Sequence, residues 1–525
     1  MAKPDSTKLI SKLSEIVGTE HVLWDDANRA CFATDLLYDG TAPLCIVSPK
    51  TAEALVSAIK SIYKAKCAIV PRGGGLSYSA GYVANLANVV IIDTRYLDRI
   101  LEINIDDLYV TVEAGITWAK LNEALAECNV RTPFWGTGSG KFATVGGTLS
   151  QNAVNYGSGQ FGLSAQSVLG LDIVTANGSV LTTGSGGNDT NPSPFLRHYG
   201  PDLTGLFTGD CGALGIKSKA TLQLIRRPSV TRYAAYEYTS VDAFSRALSE
   251  VARCHVTSEC FGFDPGFTAM RTTYAGLKDG LEIMSGVAKA QNSMISGIKE
   301  ALSVAKAGQR YLNNIGYSIH ITVDGRDSID ANSRLDTARK ALEENGKEIP
   351  TSVPKVMRGT PFPDPTIAIG HNGERWIPMH GIVPHSRFSA ALTNLKMFFE
   401  NNSSLLKQHR IAWCFTAVPV GPSGILLEPN LYWRDSRPIM LDGYLPEAYL
   451  NDKPTYPKDI AARDAVKQLR NGLIALFRTH GGVHLQIGRV YPYLESRSPD
   501  VRALLTALKT HLDPQGLMNP GSIGL

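Results

Sequence analysis

Glycine sets the strictest condition on how this chain can fold. The run Pro71-Arg-Gly-Gly-Gly-Leu-Ser77 places three glycines in a row directly after the apolar stretch Ala68-Ile-Val. A second block spans Thr144-Val-Gly-Gly-Thr-Leu-Ser-Gln-Asn-Ala-Val-Asn-Tyr-Gly-Ser-Gly-Gln-Phe-Gly162, and a third spans Gly209-Asp-Cys-Gly-Ala-Leu-Gly-Ile216. Glycine clusters mark backbone that adopts left-handed dihedrals or presses close to a ligand. Successive N–H groups in such a loop converge on an anion, the usual way a diphosphate is cradled. No helix follows the triplet directly, so it is not the GxGxxG turn of a Rossmann unit.

The segments around these blocks alternate in period. Residues 8–17 and Thr51 to Lys66 have helical spacing, with Thr51 as the expected cap. Residues 43–49, 68–72, 89–93 and 108–113 read as strands, and 117–127 as a helix. A strand over 169–176 meets the hairpin-type turn Asn177-Gly178. Arg226-Arg-Pro-Ser marks the exit from a first domain, 1–228. Amphipathic helices at 240–254, 281–307, 329–345 and 386–408 then alternate with strands such as Ser318 to Asp324, giving a second domain over 229–470. Residues 471–525 carry a helix, the strand-like Val483 to Gly488, another helix at 499–511 and a tail with glycine and proline.

At 525 residues the chain exceeds one ordinary core. A net charge of +4 provides no basic stripe for nucleic acid. No stretch reaches the roughly 18 apolar residues of a membrane span, and the first residues lack a signal-peptide pattern. Eight scattered cysteines without a CxxC pair read as free thiols of a cytoplasmic protein.

Taken in order, the three glycine blocks and Asp513-Pro-Gln-Gly-Leu-Met-Asn-Pro-Gly521 resemble the vanillyl-alcohol oxidase and p-cresol methylhydroxylase family of FAD-dependent oxidoreductases. The resemblance implies an α+β fold: a two-subdomain FAD-binding domain of the p-cresol methylhydroxylase type, a cap domain with an antiparallel sheet, and a C-terminal segment that returns to the FAD domain. It implies that Arg72, Gly73, Gly74, Gly75, Leu76 and Ser77 wrap the pyrophosphate. Thr144, Val145, Gly146, Gly147, Thr148, Asn152, Gly157, Ser158 and Gly162 would line the pyrophosphate and isoalloxazine through backbone amides. Gly212, Gly215 and Ile216 would approach the flavin by main chain, with Asn519 closing the pocket. Many relatives carry a histidine where this chain has Leu76, and Gly421 to Arg434 offers only Tyr432 for attachment, so FAD is expected to be non-covalent.

For the chemistry, alternation places His484, Gln486 and Gly488 on one face of an expected strand, and Tyr432 and Arg434 on another. His484 is the expected base, and Arg434 or Arg489 offers a planar fork for a carboxylate. His320 reads as part of a solvated polar face. His380 and His385, separated by glycine and proline with no acidic partner nearby, make a poor metal pair. The chain departs from the phenol-oxidising relatives in two places. Leu485-Gln486 replaces their Tyr-Arg pair, and Thr137 to Lys141 lacks their carboxylate. The His-Gly-Asp-Gly metal motif of the 2-hydroxy-acid branch is also absent. The implied function is removal of a hydride from an aromatic or bulky alcohol or alkylphenol. A 2-hydroxy-acid dehydrogenase and a flavin module without turnover are the alternatives. The implied partners are a small organic substrate and oxygen, a quinone or a cytochrome as electron acceptor, with a homodimer left open.

Overall fold

The computed structural model describes residues 6–272 and 315–525. The helix expected at 281–307 lies outside the described residues. Three sheets organise the chain. The first has three parallel strands, Cys45–Val47, Val89–Asp93 and Ala68–Arg72, with Val22–Leu23 antiparallel at one edge. Its central strands are buried along their whole length, as parallel strands covered on both faces must be. Helices Ser6–Val17 and Ala52–Lys64 cover one face, and the Thr51 hydroxyl caps the second by accepting from the Ala54 N–H.

The second sheet is antiparallel, in the order Ile100–Asn104, Tyr109–Glu113, Ile216–Gln223, Val168–Val174, Val180–Thr182. Its last two strands are joined at Asn177-Gly178, where Gly178 has φ 81° and the Asn177 side-chain oxygen accepts from the Ser179 N–H. Helices Trp118–Glu127 and Val145–Gln151 pack on this sheet around Trp118, Leu149 and Leu171.

The third sheet has eight antiparallel strands, with Tyr317–Gly325, Glu259–Phe263 and Ala412–Pro419 at its centre. One face buries helices Val241–Cys254, Ser328–Leu342, His385–Asn401 and Ile460–Thr479. The other meets the first domain through Phe261, Phe263, Val418 and Leu426, which pack on Trp135, Tyr156 and Leu485. This is the expected α+β arrangement. Because both faces are covered, His320 is 1% exposed and not solvated; burial pushes its pKa down to about 3. No helix among the described residues is long and apolar enough to cross a membrane.

The chain then returns to its start. Helix Pro499–Leu512 packs on the second sheet, and Met518 bridges Ile69 of the first. The segment Val483 to Gly488 is not a strand. Val483 makes a single bridge to Ile382, and Gln486 and Gly488 take left-handed backbone at φ 50° and 53°.

Candidate active site

A cleft opens between the first and second glycine blocks. Gly73, Gly74, Gly75 and Leu76 form one wall; Thr144, Gly147, Thr148 and Gln151 form the other, with Thr137 and Ser139 at one end and Gln486 at another. The walls touch backbone to backbone. A Cβ on Gly74 would stand 2.2 Å from the Phe142 carbonyl, and one on Gly73 would stand 2.2 Å from Thr144 Oγ1. Gly75 sits at φ 70°. The four successive amides from Gly73 to Leu76 donate to no acceptor among the described residues. Free donors on a glycine-bare wall fit a diphosphate, which brings only acceptors.

The second wall works differently from the expectation. The amides of Val145, Gly146, Gly147 and Thr148 donate to Ile116 O, Ala114 O, Thr144 Oγ1 and Thr144 O, so this helix start is closed by the protein itself. The wall meets the cleft through the Thr144 and Thr148 side chains and the bare Cα of Gly147. Thr148 Oγ1 accepts from the Trp118 indole at 2.8 Å, which leaves the Thr148 O–H free to donate.

Several other expected ligands serve the fold. Arg72 turns away from the cleft and donates to the carbonyls of Phe32 and Thr34. The Ser77 hydroxyl is buried beside that of Ser79. Asn152 ends its helix at φ 53° and accepts from the Ala165 N–H. Gly157, Ser158 and Gly162 join the two domains. The Gly157 N–H donates to the Glu259 carboxylate, the Ser158 carbonyl accepts from the Gly421 N–H, and Gly162 turns at φ 75°. Gly212 lies against Pro71 and Gly215 against Ile173, while Ile216 is core. Asn519 is fully buried. Its amide donates to the carbonyls of Gly81 and Cys211, and its oxygen accepts from Arg489, so it is a clamp.

Beyond Gln486 lies a cluster of aromatic and titratable side chains. His484 donates from Nδ1 to the His380 carbonyl at 2.7 Å, which fixes Nε2 as the acceptor; Nε2 is buried without a partner. Its ring stacks on Tyr491 at 4.3 Å, and His380 stacks on the same tyrosine at 4.9 Å. Both His380 ring nitrogens are buried without partners, and burial pushes its pKa down to about 3. Burial also lowers that of His484, so both imidazoles are neutral near pH 7. The Tyr491 oxygen accepts from the His380 N–H at 3.3 Å. Tyr78 meets His380 and Trp376 edge-on and is hydrogen-bonded by the Gln486 amide. Glu428, bonded only by the Thr416 hydroxyl, is pushed up to about 7 by burial, and its charge bears on both Tyr78 and Tyr491.

Two expected arginines do not belong to this cluster. Arg434 is exposed past the end of its strand and lies over the Tyr456 ring at 5.5 Å. Arg489 spends its donors on the carbonyls of Ala80, Val83 and Pro520 and on Asn519, leaving no fork for a carboxylate. Tyr432 packs beside Leu76 and Trp376 at the edge of the cluster. His385 donates from Nε2 to the Pro422 carbonyl, away from His380's ring, and no metal-binding group occurs among the described residues. Sequence reasoning passed over Tyr78 and Glu428. Glu428 had one signal, a charged residue inside the mostly apolar strand Ile425–Trp433; Tyr78, between two serines, had none.

Residues 43–184 match the family described as FAD binding domain, and residues 488–523 match the FAD linked oxidases, C-terminal domain. The glycolate oxidase subunit of Bacillus subtilis is 26% identical over 46% of this chain and 49% of its own length. The D-2-hydroxyglutarate dehydrogenase of Stutzerimonas stutzeri is 30% identical over 42% and 46%. The chain thus spans about half the length of the curated relatives it matches. Among solved structures, 4-ethylphenol oxidase from Gulosibacter chungangensis aligns over 99% of this chain and 97% of its own, with TM-score 0.72 and 18% identity. For p-cresol methylhydroxylase the figures are 99%, 96%, 0.71 and 17%. Residues 43–184 thus carry an FAD-binding domain and residues 488–523 an FAD-linked oxidase segment, which makes the chain an FAD-linked oxidoreductase, and it shares the fold of 4-ethylphenol oxidase and p-cresol methylhydroxylase across its length.

Proposed function

We propose that this protein oxidises or hydroxylates an aromatic or otherwise bulky alcohol or alkylphenol, with non-covalent FAD in the glycine-walled cleft. The free amides of Gly73 to Leu76 and the Thr144, Thr148 and Gln151 side chains would hold the cofactor. Bound FAD supplies the hydride acceptor, and oxygen, a quinone or a cytochrome would re-oxidise it. Among the described residues no histidine or cysteine lines the cleft, which supports a dissociable cofactor. The eight cysteines are free thiols, in keeping with the cytoplasmic location we propose.

One observation carries this reading: His484 Nε2, an acceptor with no partner, lies in an aromatic cluster that Gln486 links to the cleft. A neutral imidazole held by its other nitrogen is poised to take a hydroxyl proton as the neighbouring C–H bond breaks. Its lowered pKa keeps it unprotonated through pH 7, so the acid limb of kcat/KM should fall below pH 6.5. Stopped-flow anaerobic flavin reduction tests it, first with a panel of aromatic alcohols, alkylphenols and 2-hydroxy acids. His484→Ala should slow reduction by roughly 10²-fold with FAD content unchanged, and acid denaturation should release the flavin. Wild-type rate and pH profile in that variant would leave His484 a packing residue. The 2-hydroxy-acid reading is kept because a glycolate oxidase subunit and a D-2-hydroxyglutarate dehydrogenase match 245 and 224 residues of the chain; reduction by such acids alone would replace the alcohol reading.

A further inference from the structure

The donor face of the cleft is aimed from behind. In a planar trans peptide the carbonyl and the next residue's N–H point in opposite directions, so whatever holds the carbonyl sets where the amide points. No peptide bond among the described residues is cis. Three of the four free amides follow a carbonyl that the protein holds. The Arg72 carbonyl, ahead of the Gly73 N–H, accepts from the Thr94 hydroxyl at 3.3 Å. The Gly75 carbonyl, ahead of the Leu76 N–H, accepts from the Ser77 N–H at 2.9 Å. The Gly74 carbonyl, ahead of the Gly75 N–H, accepts from the Tyr444 hydroxyl, 370 residues away along the chain, and from no other donor among the described residues. Thr94 and Ser77 belong to the first domain. Tyr444 reaches in from the cap.

Its surroundings make Tyr444 a fixed tether. The ring meets Phe142 edge-on at 5.0 Å, and the Phe142 carbonyl is the group against which Gly74 packs. Met440, Leu441 and Leu445 anchor the same segment in a buried cluster with Leu36 and Trp376. Gly74 and Gly75 line the cleft and Tyr444 does not, so the bond draws the carbonyl out of the cleft and turns the Gly75 N–H toward it. Something has to do this, because a peptide between two glycines rotates more freely than any other. Rotated, it would set an acceptor where the diphosphate asks for a donor.

We propose that Tyr444 is a positioning residue for the cofactor: its hydroxyl locks the Gly74–Gly75 peptide in the donor-inward orientation, so that the diphosphate cradle is completed by the cap. The proposal rests on the reading that the glycine-walled cleft holds the FAD diphosphate.

The test compares Tyr444→Phe with wild type, each stripped of cofactor and titrated with FAD by fluorescence quenching. The Phe ring keeps the contact with Phe142, and only the hydroxyl is lost. The Kd for FAD should rise roughly tenfold, as it does when about a tenth of the molecules keep the competent peptide, while the apo melting temperature stays close to that of wild type. In the FAD-loaded variant the phosphorus NMR resonances of the diphosphate should shift and the visible flavin spectrum should not, because the change lies at the phosphates. Tyr456→Phe removes another tyrosine-to-carbonyl bond of the cap, to Asn372 at 2.7 Å, and should leave the Kd at its wild-type value. The proposal is overturned by a wild-type Kd in Tyr444→Phe, by unmoved phosphorus resonances, or by an equal loss in Tyr456→Phe, which would assign the effect to the cap at large. Gly147→Val tests the underlying reading by itself. If that variant still holds FAD, the cleft and the tether fall together; if it is empty while Tyr444→Phe binds as wild type, only the tether falls.

Discussion

The cleft and the cluster beside it are built from opposite materials. The cleft wall is main chain: four consecutive amides and a glycine packed so close to a carbonyl that an added Cβ would stand 2.2 Å from it, all from two short stretches of sequence. The cluster is side chain, gathered from Tyr78 in the first domain, His380 and Glu428 in the cap, and His484 and Tyr491 in the C-terminal segment. A cofactor common to many enzymes needs a fixed donor surface, and backbone provides one that side-chain change cannot erode. A substrate pocket has to be changeable, and side chains on separate segments change one at a time. The comparison teaches where variation is permitted: beyond Gln486, not before it.

Substitution on the cleft wall should have the largest effect and should divide the wall in two. At Gly147 an added Cβ meets only Thr144 Oγ1, at 3.0 Å, and otherwise faces the cleft. Gly147→Val is expected to lose FAD almost completely while its melting temperature without cofactor stays close to that of the apo wild type. Gly74→Val drives a side chain into the Phe142 carbonyl and should lower both. Measured flavin absorbance per protein and apo melting curves decide it; equal behaviour of the two variants would mean that the wall acts as one structural unit.

A medium effect is expected from Glu428, which sits on the cluster side. Its folded pKa, about 7, lies above the ordinary value of 4.5, so the native state holds its proton more tightly than the unfolded chain. The stability this contributes is complete below about pH 4.5 and is lost as pH rises through 7. Glu428→Gln should therefore raise the melting temperature at pH 8 more than at pH 5. Buried neutral His380 acts in the opposite direction, since stability is lost as pH falls from 6.5 toward 3. A pH-independent difference between Glu428→Gln and wild type would show the carboxyl to be solvated.

The smallest effect belongs to the cap of the second wall. Thr144→Ala removes the acceptor for the Gly147 N–H and should cost about 1 kcal/mol of stability. Denaturant unfolding of the apo form measures it. Should FAD binding weaken by more than that cost, the Thr144 hydroxyl contacts the cofactor as well as the helix.

What the sequence makes legible follows the same division. The glycine blocks announce themselves because a left-handed residue such as Gly75 or Gly178 favours glycine and a backbone contact such as Gly74 on Phe142 leaves no room for a side chain. The Thr51 cap and the Asn177-Gly178 hairpin are legible for equally local reasons. The cluster is not, because its members are brought together only by the fold. His484 and Gln486 looked like one face of a strand, yet the alternation comes from two turns with Gln486 left-handed. Arg489 looked like a fork for a substrate, and its donors are taken by carbonyls whose positions no sequence shows. Arg434 lies one residue past the last strand residue, Trp433, where period two no longer applies. His320 looked solvated because its strand alternates, but a central strand of an eight-stranded sheet has no wet face.

The Asn519 clamp ties the order of synthesis to the order of assembly. Its amide holds the Gly81 carbonyl across 438 residues of chain, and Arg489 reaches back to Val83 across 406. At roughly 5–20 residues per second of translation, the loop after the first glycine triplet waits on the order of 20–90 s for the residues that pin it. Until then its apolar neighbours are exposed and its cofactor surface is unfinished. Nascent chains of this protein should therefore be clients of holding chaperones until Asn519 has emerged, and flavin should enter only after that point.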